Sequence, residues 1–289
     1  NFKIMIRAKD LVFAYPKNDS PTINGIDFSI GKGEIFGFLG PSGAGKSTTQ
    51  KILYKVLENY EGEVEVFGKC LKQWRRDYFE RIGVGFELPN HYPKLTAREN
   101  LQFFGSLYQR KYQSIDELLD KVGLLEDADK RVFEFSKGMK MRLNFIRALL
   151  HDPEILFFDE PTNGLDPVNA QILKDFLLEL QKEGKTIFIT THLMHDADEL
   201  CQQVSFMTDG ILVLTDSPQQ LKLKYGERNL KIGYRKNGLL VKKKFELDRL
   251  KGNEDFLAII NHYPIETMHT TEASLNDVFI KVTGKSLHS

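Results

Sequence analysis

Gly40-Pro41-Ser42-Gly43-Ala44-Gly45-Lys46-Ser47 follows the apolar run Ile35 to Leu39 and precedes the helical pattern Thr48 to Leu57. The octet satisfies GxxxxGK[ST], with strand, loop and helix in the order that a phosphate-binding loop requires. Its glycines let backbone N–H groups turn inward at a helix N-terminus, where orphan donors and the helix dipole favour anions. Lys46 then reaches the terminal phosphates, and Ser47 offers a hydroxyl to Mg²⁺. The pattern predicts a nucleotide-handling α/β core.

Downstream, Ile155-Leu156-Phe157-Phe158-Asp159-Glu160 reads as a buried strand ending in two carboxylates. Beside a phosphate-binding loop, Asp159 can bind Mg²⁺ through water and Glu160 can polarise an attacking water as general base. Adjacent acids at a strand end diverge, so they can divide those tasks. Thr186 to Thr191 forms a further apolar strand, and His192 follows it. An imidazole there can touch the γ-phosphate or orient the water near pH 7.

Composition bounds the setting. A chain of 289 residues suggests about two domains. Lys plus Arg equals Asp plus Glu at 40 each, so a general electrostatic grip on nucleic acid is not expected and anions must be held locally. No apolar run approaches the roughly 20 residues that cross a bilayer. Cys70 and Cys201 form no CxxC pair, which argues against a disulfide framework or zinc site and favours a reducing cytosol. Asn1 stands in place of an initiator Met with no basic-then-apolar leader behind it, so it reads as a processed end without an export address.

Residues 1 to about 220 alternate β-branched or aromatic runs with amphipathic stretches, as α/β architecture requires. Strands are expected at Lys3 to Phe13, Gly33 to Leu39, Glu63 to Phe67, Ile155 to Phe158, Thr186 to Thr190, Val204 to Thr208 and Gly210 to Leu214. Helical spacing of Leu101, Phe104, Leu107 and Tyr108, then Ile115, Leu118, Leu119 and Val122, predicts a helical insert over about 93–150. A smaller domain is expected over 221–289. Lys222 to Lys251 carries eleven basic residues against three acidic ones, which reads as a solvated face. Asn237-Gly238 joins two strand-like runs as a hairpin, Glu254 to Ile260 suits a helix, and Ser274 with Asp277 suits a capping box.

Between the two phosphate motifs lies Phe135-Ser136-Lys137-Gly138-Met139, opening the helical run Lys140 to Leu149, with Asp159 23 residues after Ser136. This arrangement resembles the ATP-binding cassette transporter family, whose LSGGQ-like signature opens a helix upstream of the Asp-Glu strand. Ser136 and Gly138 keep the signature pattern; Lys137 and Met139 depart from it. The resemblance covers residues 3 to about 220. It implies a P-loop cassette with a mixed sheet core, a helical subdomain and a small α+β C-terminal domain. It also implies nucleotide contacts from Tyr15, as the adenine-stacking aromatic, and from Gly40, Pro41, Ser42, Gly43, Ala44, Gly45, Lys46, Ser47 and Thr48. Metal contacts would come from Ser47, Asp159 and Glu87, the last standing where the family has Gln. Glu160 and His192 would serve hydrolysis, Asp166 the loop at the dimer interface, and Ser136 to Met139 the nucleotide of an opposing subunit.

The family reading implies ATP and Mg²⁺ as cofactors, dimerisation around ATP with a second cassette chain, and a separate transmembrane permease. Location at the cytoplasmic face of the cell membrane follows from that partner. Ser274 to Gly284 resembles the end of cassettes in the bacterial exporter branch, so export is expected. A mechanochemical or scaffold ATPase is the alternative. Its DNA-repair form needs a very long coiled coil between the phosphate motifs, whereas Lys46 and Asp159 are 113 residues apart. Its translation-factor form carries two cassettes, whereas this chain has one phosphate-binding loop. A P-loop kinase or GTPase leaves the signature unexplained. The transported substrate contacts the permease and is not written in the cassette.

Overall fold

The computed structural model describes residues 3–285 except Lys17, Asp19, Lys111, Glu227, Arg228 and Glu272. Asn1 therefore lies outside the described residues. The chain divides into two compact units, with the boundary between Ser217 and Pro218.

In the first unit the chain runs through β1 (Ile4–Phe13), β2 (Ile23–Gly31), β3 (Ile35–Leu39), α1 (Lys46–Leu53), β4 (Glu61–Val66), β5 (Lys69–Cys70) and β6 (Ile82–Gly85). Helices α2 (Ala97–Gly105), α3 (Ile115–Lys121) and α4 (Lys137–Arg147) follow. Then come β7 (Ile155–Asp159), α5 (Pro167–Lys182), β8 (Thr186–Thr191), α6 (Met194–Leu200), β9 (Gln203–Thr208) and β10 (Ile211–Asp216). The main sheet has the order β10-β9-β3-β8-β7-β6. It is mixed, because β10 is antiparallel to β9 while the other neighbours are parallel. Parallel strands align their C-terminal ends, so the segments after β6, β7, β8 and β3 share one edge. Glu87, Asp159 with Glu160, His192 and the Gly40 loop all lie there.

The central strands β3 and β8 are buried at every position, as expected of strands covered on both faces. By contrast, β1 and β2 alternate buried and exposed residues and belong to a second, antiparallel sheet of order β2-β1-β4-β5. Its apolar face joins one core with Phe36, Phe38 and Phe188. Phe28 meets Phe38 edge to face at 5.0 Å, and Phe38 meets Phe188 at 4.8 Å. The apolar runs that periodicity assigned to strands thus divide between two sheets.

Two local expectations change. The helix after the phosphate-binding loop ends at Leu53, not Leu57, because Lys55 adopts a left-handed φ of 61° that cannot continue a right-handed helix. Strand β2, which pairs with β1, lies in a stretch that periodicity left unassigned. Its Asn24-Gly25 start and single polar residues obscure the apolar run, and only the partner strand makes it a sheet element. Helix α2 begins with a full capping box, Thr96 with Glu99, and α3 is capped by Ser114.

The second unit contains α7 (Pro218–Tyr225), β11 (Asn229–Lys236), β12 (Leu239–Glu246), α8 (Glu254–His262), β13 (Ile265–Thr271) and α9 (Leu275–Thr283). Asn237 and Gly238 have φ values of 52° and 78°, the left-handed pair that a two-residue hairpin needs. Ser274 and Asp277 form a reciprocal capping box at the start of α9. The sheet order is β12-β11-β13, so the unforeseen β13 places β11 at the centre. Leu230, Ile232, Tyr234 and Phe245 pack with Ile259 of α8 on one face.

Candidate active site

The phosphate-binding loop starts where the chain leaves β3. A Cβ at Gly40 would lie 2.0 Å from the carbonyl oxygen of Met207 on β9, so only glycine fits. Gly45, with φ of 108°, turns the chain into α1. Lys46 is buried and donates Nζ to the carbonyls of Gly40 at 2.7 Å and Pro41 at 2.9 Å. Burial lowers its pKa, while Glu160, Asp159 and Glu87 act to raise it. One ammonium thus faces three carboxylates. Ser42 and Gly43 are exposed at the loop crest, whereas Ala44 and Thr48 are buried.

The two acids at the end of β7 point to different partners. Asp159 Oδ1 accepts from Ser47 Oγ at 2.9 Å and also from Thr190 Oγ1. Glu160 is 7% exposed and sits at φ 51°, a left-handed conformation that costs a non-glycine residue on the order of 1 kcal/mol or more. Its N–H donates to the Thr190 carbonyl at 2.9 Å, which holds that turn against β8. Its Oε1 lies 2.9 Å from His192 Nδ1, and its Oε2 accepts from Thr191 Oγ1 at 3.1 Å and from the His192 N–H at 3.4 Å. Asp159 therefore addresses α1, and Glu160 addresses β8.

Tyr15, just past β1, reaches this site through its hydroxyl, 3.3 Å from Thr48 Oγ1, with its ring edge-on to Phe13 at 5.0 Å. Glu87 stands on an exposed bend two residues past β6. Ser136 caps α4, accepting from the Met139 N–H at 3.2 Å. Lys137 Nζ lies against Gly164, and Gly138 faces Asn169. Asp166 caps α5 by accepting from the Val168 and Asn169 N–H groups at 3.1 Å each. Hydrogen bonds to Asn169, side chain before backbone, lower its pKa. No hydrogen bond joins Ser136 to Met139 with the phosphate-binding loop among the described residues, so these residues form a second cluster with the loop at Asn163 to Asp166.

Three supporting residues escaped the sequence. Gln50, buried on α1, donates Nε2 to the carbonyls of Phe158 and Phe188 at 3.1 Å each. Thr190 and Thr191 hold the two acids as described above. The only signal was a strand ending in polar β-branched residues, which is equally ordinary at a solvated strand end.

A family model described as "ABC transporter" matches residues 23–163, and a second, "Fluoroquinolone efflux ABC transporter C-terminal domain", matches residues 228–272. A fluoroquinolones export ATP-binding protein of Mycobacterium tuberculosis is 50% identical over 98% of this chain and 94% of its own length. The chain belongs to the ABC transporter ATP-binding family. This ABC cassette is also 33% identical to a bacitracin transport ATP-binding protein of Bacillus licheniformis, over 97% of each chain. Among solved structures, a dimeric ATP-binding cassette with ADP and phosphate bound matches with a TM-score of 0.67 and 26% identity, over 74% of this chain and 98% of the other. The ATP-binding subunit of another ABC transporter matches with a TM-score of 0.69 and 25% identity, over 76% and 93%. The chain is thus an ATP-binding ABC ATPase. No helix among the described residues is long and apolar enough to cross a membrane.

Proposed function

We propose that this ABC ATPase closes around ATP with a second cassette chain and powers export through a separate permease at the cytoplasmic face of the membrane. Full-length similarity to export subunits supports the direction, and the match over residues 228–272 favours small amphipathic drugs of the fluoroquinolone kind as cargo. Residues 221–289 would serve as the accessory domain.

One observation carries the catalytic part: Glu160 is held by His192 and Thr191 at one side of a site whose other side is Lys46, Ser47 and Asp159. Lys46 exchanges the Gly40 and Pro41 carbonyls for phosphate oxygens, aided by backbone N–H groups at the N-terminus of α1. Ser47 and Asp159 present hard oxygen donors 2.9 Å apart, a set that fits Mg²⁺, with Glu87 as a further acid nearby. The ion would neutralise phosphate charge. Glu160 accepts the proton of the attacking water, and His192 holds the carboxylate in place. Tyr15 would stack on adenine, while Ser136 to Met139 and Asp166 would meet the partner's nucleotide and loop.

Lys46→Ala should lose ATP affinity. Glu160→Gln should bind ATP yet hydrolyse it at least ~100-fold more slowly, the scale of one general base. The same variant with ATP and Mg²⁺ should give more dimer by light scattering than without nucleotide. Wild-type turnover in Glu160→Gln would end the assignment of the base.

A further inference from the structure

The loop that follows β6 is gripped from one side by α4. Lys140, Asn144 and Arg147 stand at i, i+4 and i+7 of that helix, so they share a face. Asn144 Nδ2 donates to the Phe86 carbonyl at 2.7 Å, Arg147 Nη1 donates to the Asn90 carbonyl at 2.6 Å, and the Lys140 carbonyl lies 3.1 Å from His91 Nε2. Arg147 Nη2 also donates to Asn144 Oδ1 at 2.8 Å, which joins the two side chains into one clamp. Glu87, Leu88 and Pro89 thus form an arch whose feet, Phe86 and Asn90, are both held by α4. Glu87 and Leu88 are exposed at its crest, whereas Asn144 and Arg147 are only 3% and 8% exposed.

Packing alone does not account for Arg147. Its guanidinium has no carboxylate partner among the described residues and sits between the two oxygens it binds and the Phe104 ring, 4.6 Å from the centroid. Burying an unpaired charge costs stability that an apolar side chain of similar size would not. What the guanidinium and the amide supply is direction. The clamp also adjoins the nucleotide site. Asn144 and Phe86 line, together with Asp159, a space of only about 10 Å³, room for one water at most, and the charge of Glu87 reaches Lys46. We infer that Asn144 and Arg147 are positioning residues for hydrolysis, holding both feet of the arch so that the Glu87 carboxylate stays beside Lys46 and the Ser47–Asp159 metal donors. This role rests on the reading of Glu87 as an acid at the metal.

The test is binding of trinitrophenyl-ATP to the full chain, read by fluorescence with Mg²⁺ and again with EDTA, so that the ratio of the two dissociation constants measures what the metal site adds. Asn144→Asp keeps the side-chain shape and its contact with Arg147 but turns the donor toward Phe86 into an acceptor. Arg147→Met keeps the length and loses both donors. Each should lower the ratio roughly fivefold or more, the scale of one hydrogen bond. Affinity in EDTA should stay at the wild-type value, which a misfolded chain would not retain. Arg147→Lys, with one donor left, should recover part of the ratio, and ATP turnover in the first two variants should half-saturate at higher Mg²⁺. In a Glu87→Ala background the same substitutions should change the ratio no further, because the clamp acts only through that carboxylate. A wild-type ratio in Asn144→Asp and Arg147→Met, an equal loss of affinity in EDTA, or full additivity with Glu87→Ala would each overturn the proposal while leaving Glu87 at the metal. Glu87→Ala with a wild-type ratio would overturn the reading of Glu87 and the proposal with it.

Discussion

Gln50→Met removes one amide while keeping the length and flexibility of the side chain. The native amide donates to the carbonyls of Phe158 and Phe188 at 3.1 Å each, and Gln50 is 1% exposed, so water cannot take its place. Each hydrogen bond contributes about 1 kcal/mol net, so the variant should lose about 2 kcal/mol. In guanidinium unfolding, the transition of the cassette unit should shift to lower denaturant with an unchanged slope. A second effect is local. Because Gln50 ties α1 to the strand that ends in Asp159, its loss frees the spacing between Ser47 and Asp159, and ATP-Mg²⁺ affinity should fall beyond what stability explains. Gln50→Glu sharpens the test, since a carboxylate facing two carbonyl oxygens must stay protonated or repel them. That variant should be less stable than Gln50→Met at neutral pH and recover as pH falls. Stability equal to wild type in Gln50→Met, or Gln50→Glu equal to Gln50→Met at every pH, would refute the reasoning.

Other outcomes follow from the same geometry. Gly40→Ala drives a Cβ to 2.0 Å from the Met207 carbonyl, so β3 or β9 must move; calorimetry should show a loss of about 1–3 kcal/mol, with weakened ATP binding. His91 is half-buried with Nε2 against the Lys140 carbonyl, and its desolvation holds its pKa down to about 4 from 6.5. Folding therefore favours the neutral ring: its contribution is complete above pH 6.5 and declines as pH falls toward 4, by about 2 kcal/mol near pH 5. Denaturant midpoints of His91→Asn should change less over that interval; an identical decline in the variant would exclude His91 as a source. Burial likewise lowers the pKa of His151, whose ring stacks on Tyr108 at 3.7 Å, so acid sensitivity should persist in part until His151 is also replaced.

The parts of this protein legible in its sequence are those fixed within a few residues. Gly40 to Ser47 names a phosphate-binding loop because the loop's chemistry resides in its own backbone and in one lysine. Asn237-Gly238 and Ser274 with Asp277 specify a hairpin and a helix start for the same reason, since turn and cap are satisfied locally. Asp159 and Glu160 were visible as a pair, and His192 as a residue at a strand end.

Tertiary structure decided what those residues face. The sequence cannot say that Glu160 meets His192, 32 residues on, or that Asp159 meets Ser47 across 112, because both approaches depend on β7 lying between β6 and β8 while β8 lies beside β3. It cannot place Gln50 under two strand carbonyls, for an isolated glutamine in a helix carries no mark of its distant acceptors. Strands β2 and β13 were lost for a related reason. A strand's stability lies in its partners, and β2 and β13 become elements only when β1 and β11 pair with them. Local backbone preference fixed the motifs of this protein, while long-range strand pairing set the distances at which they act.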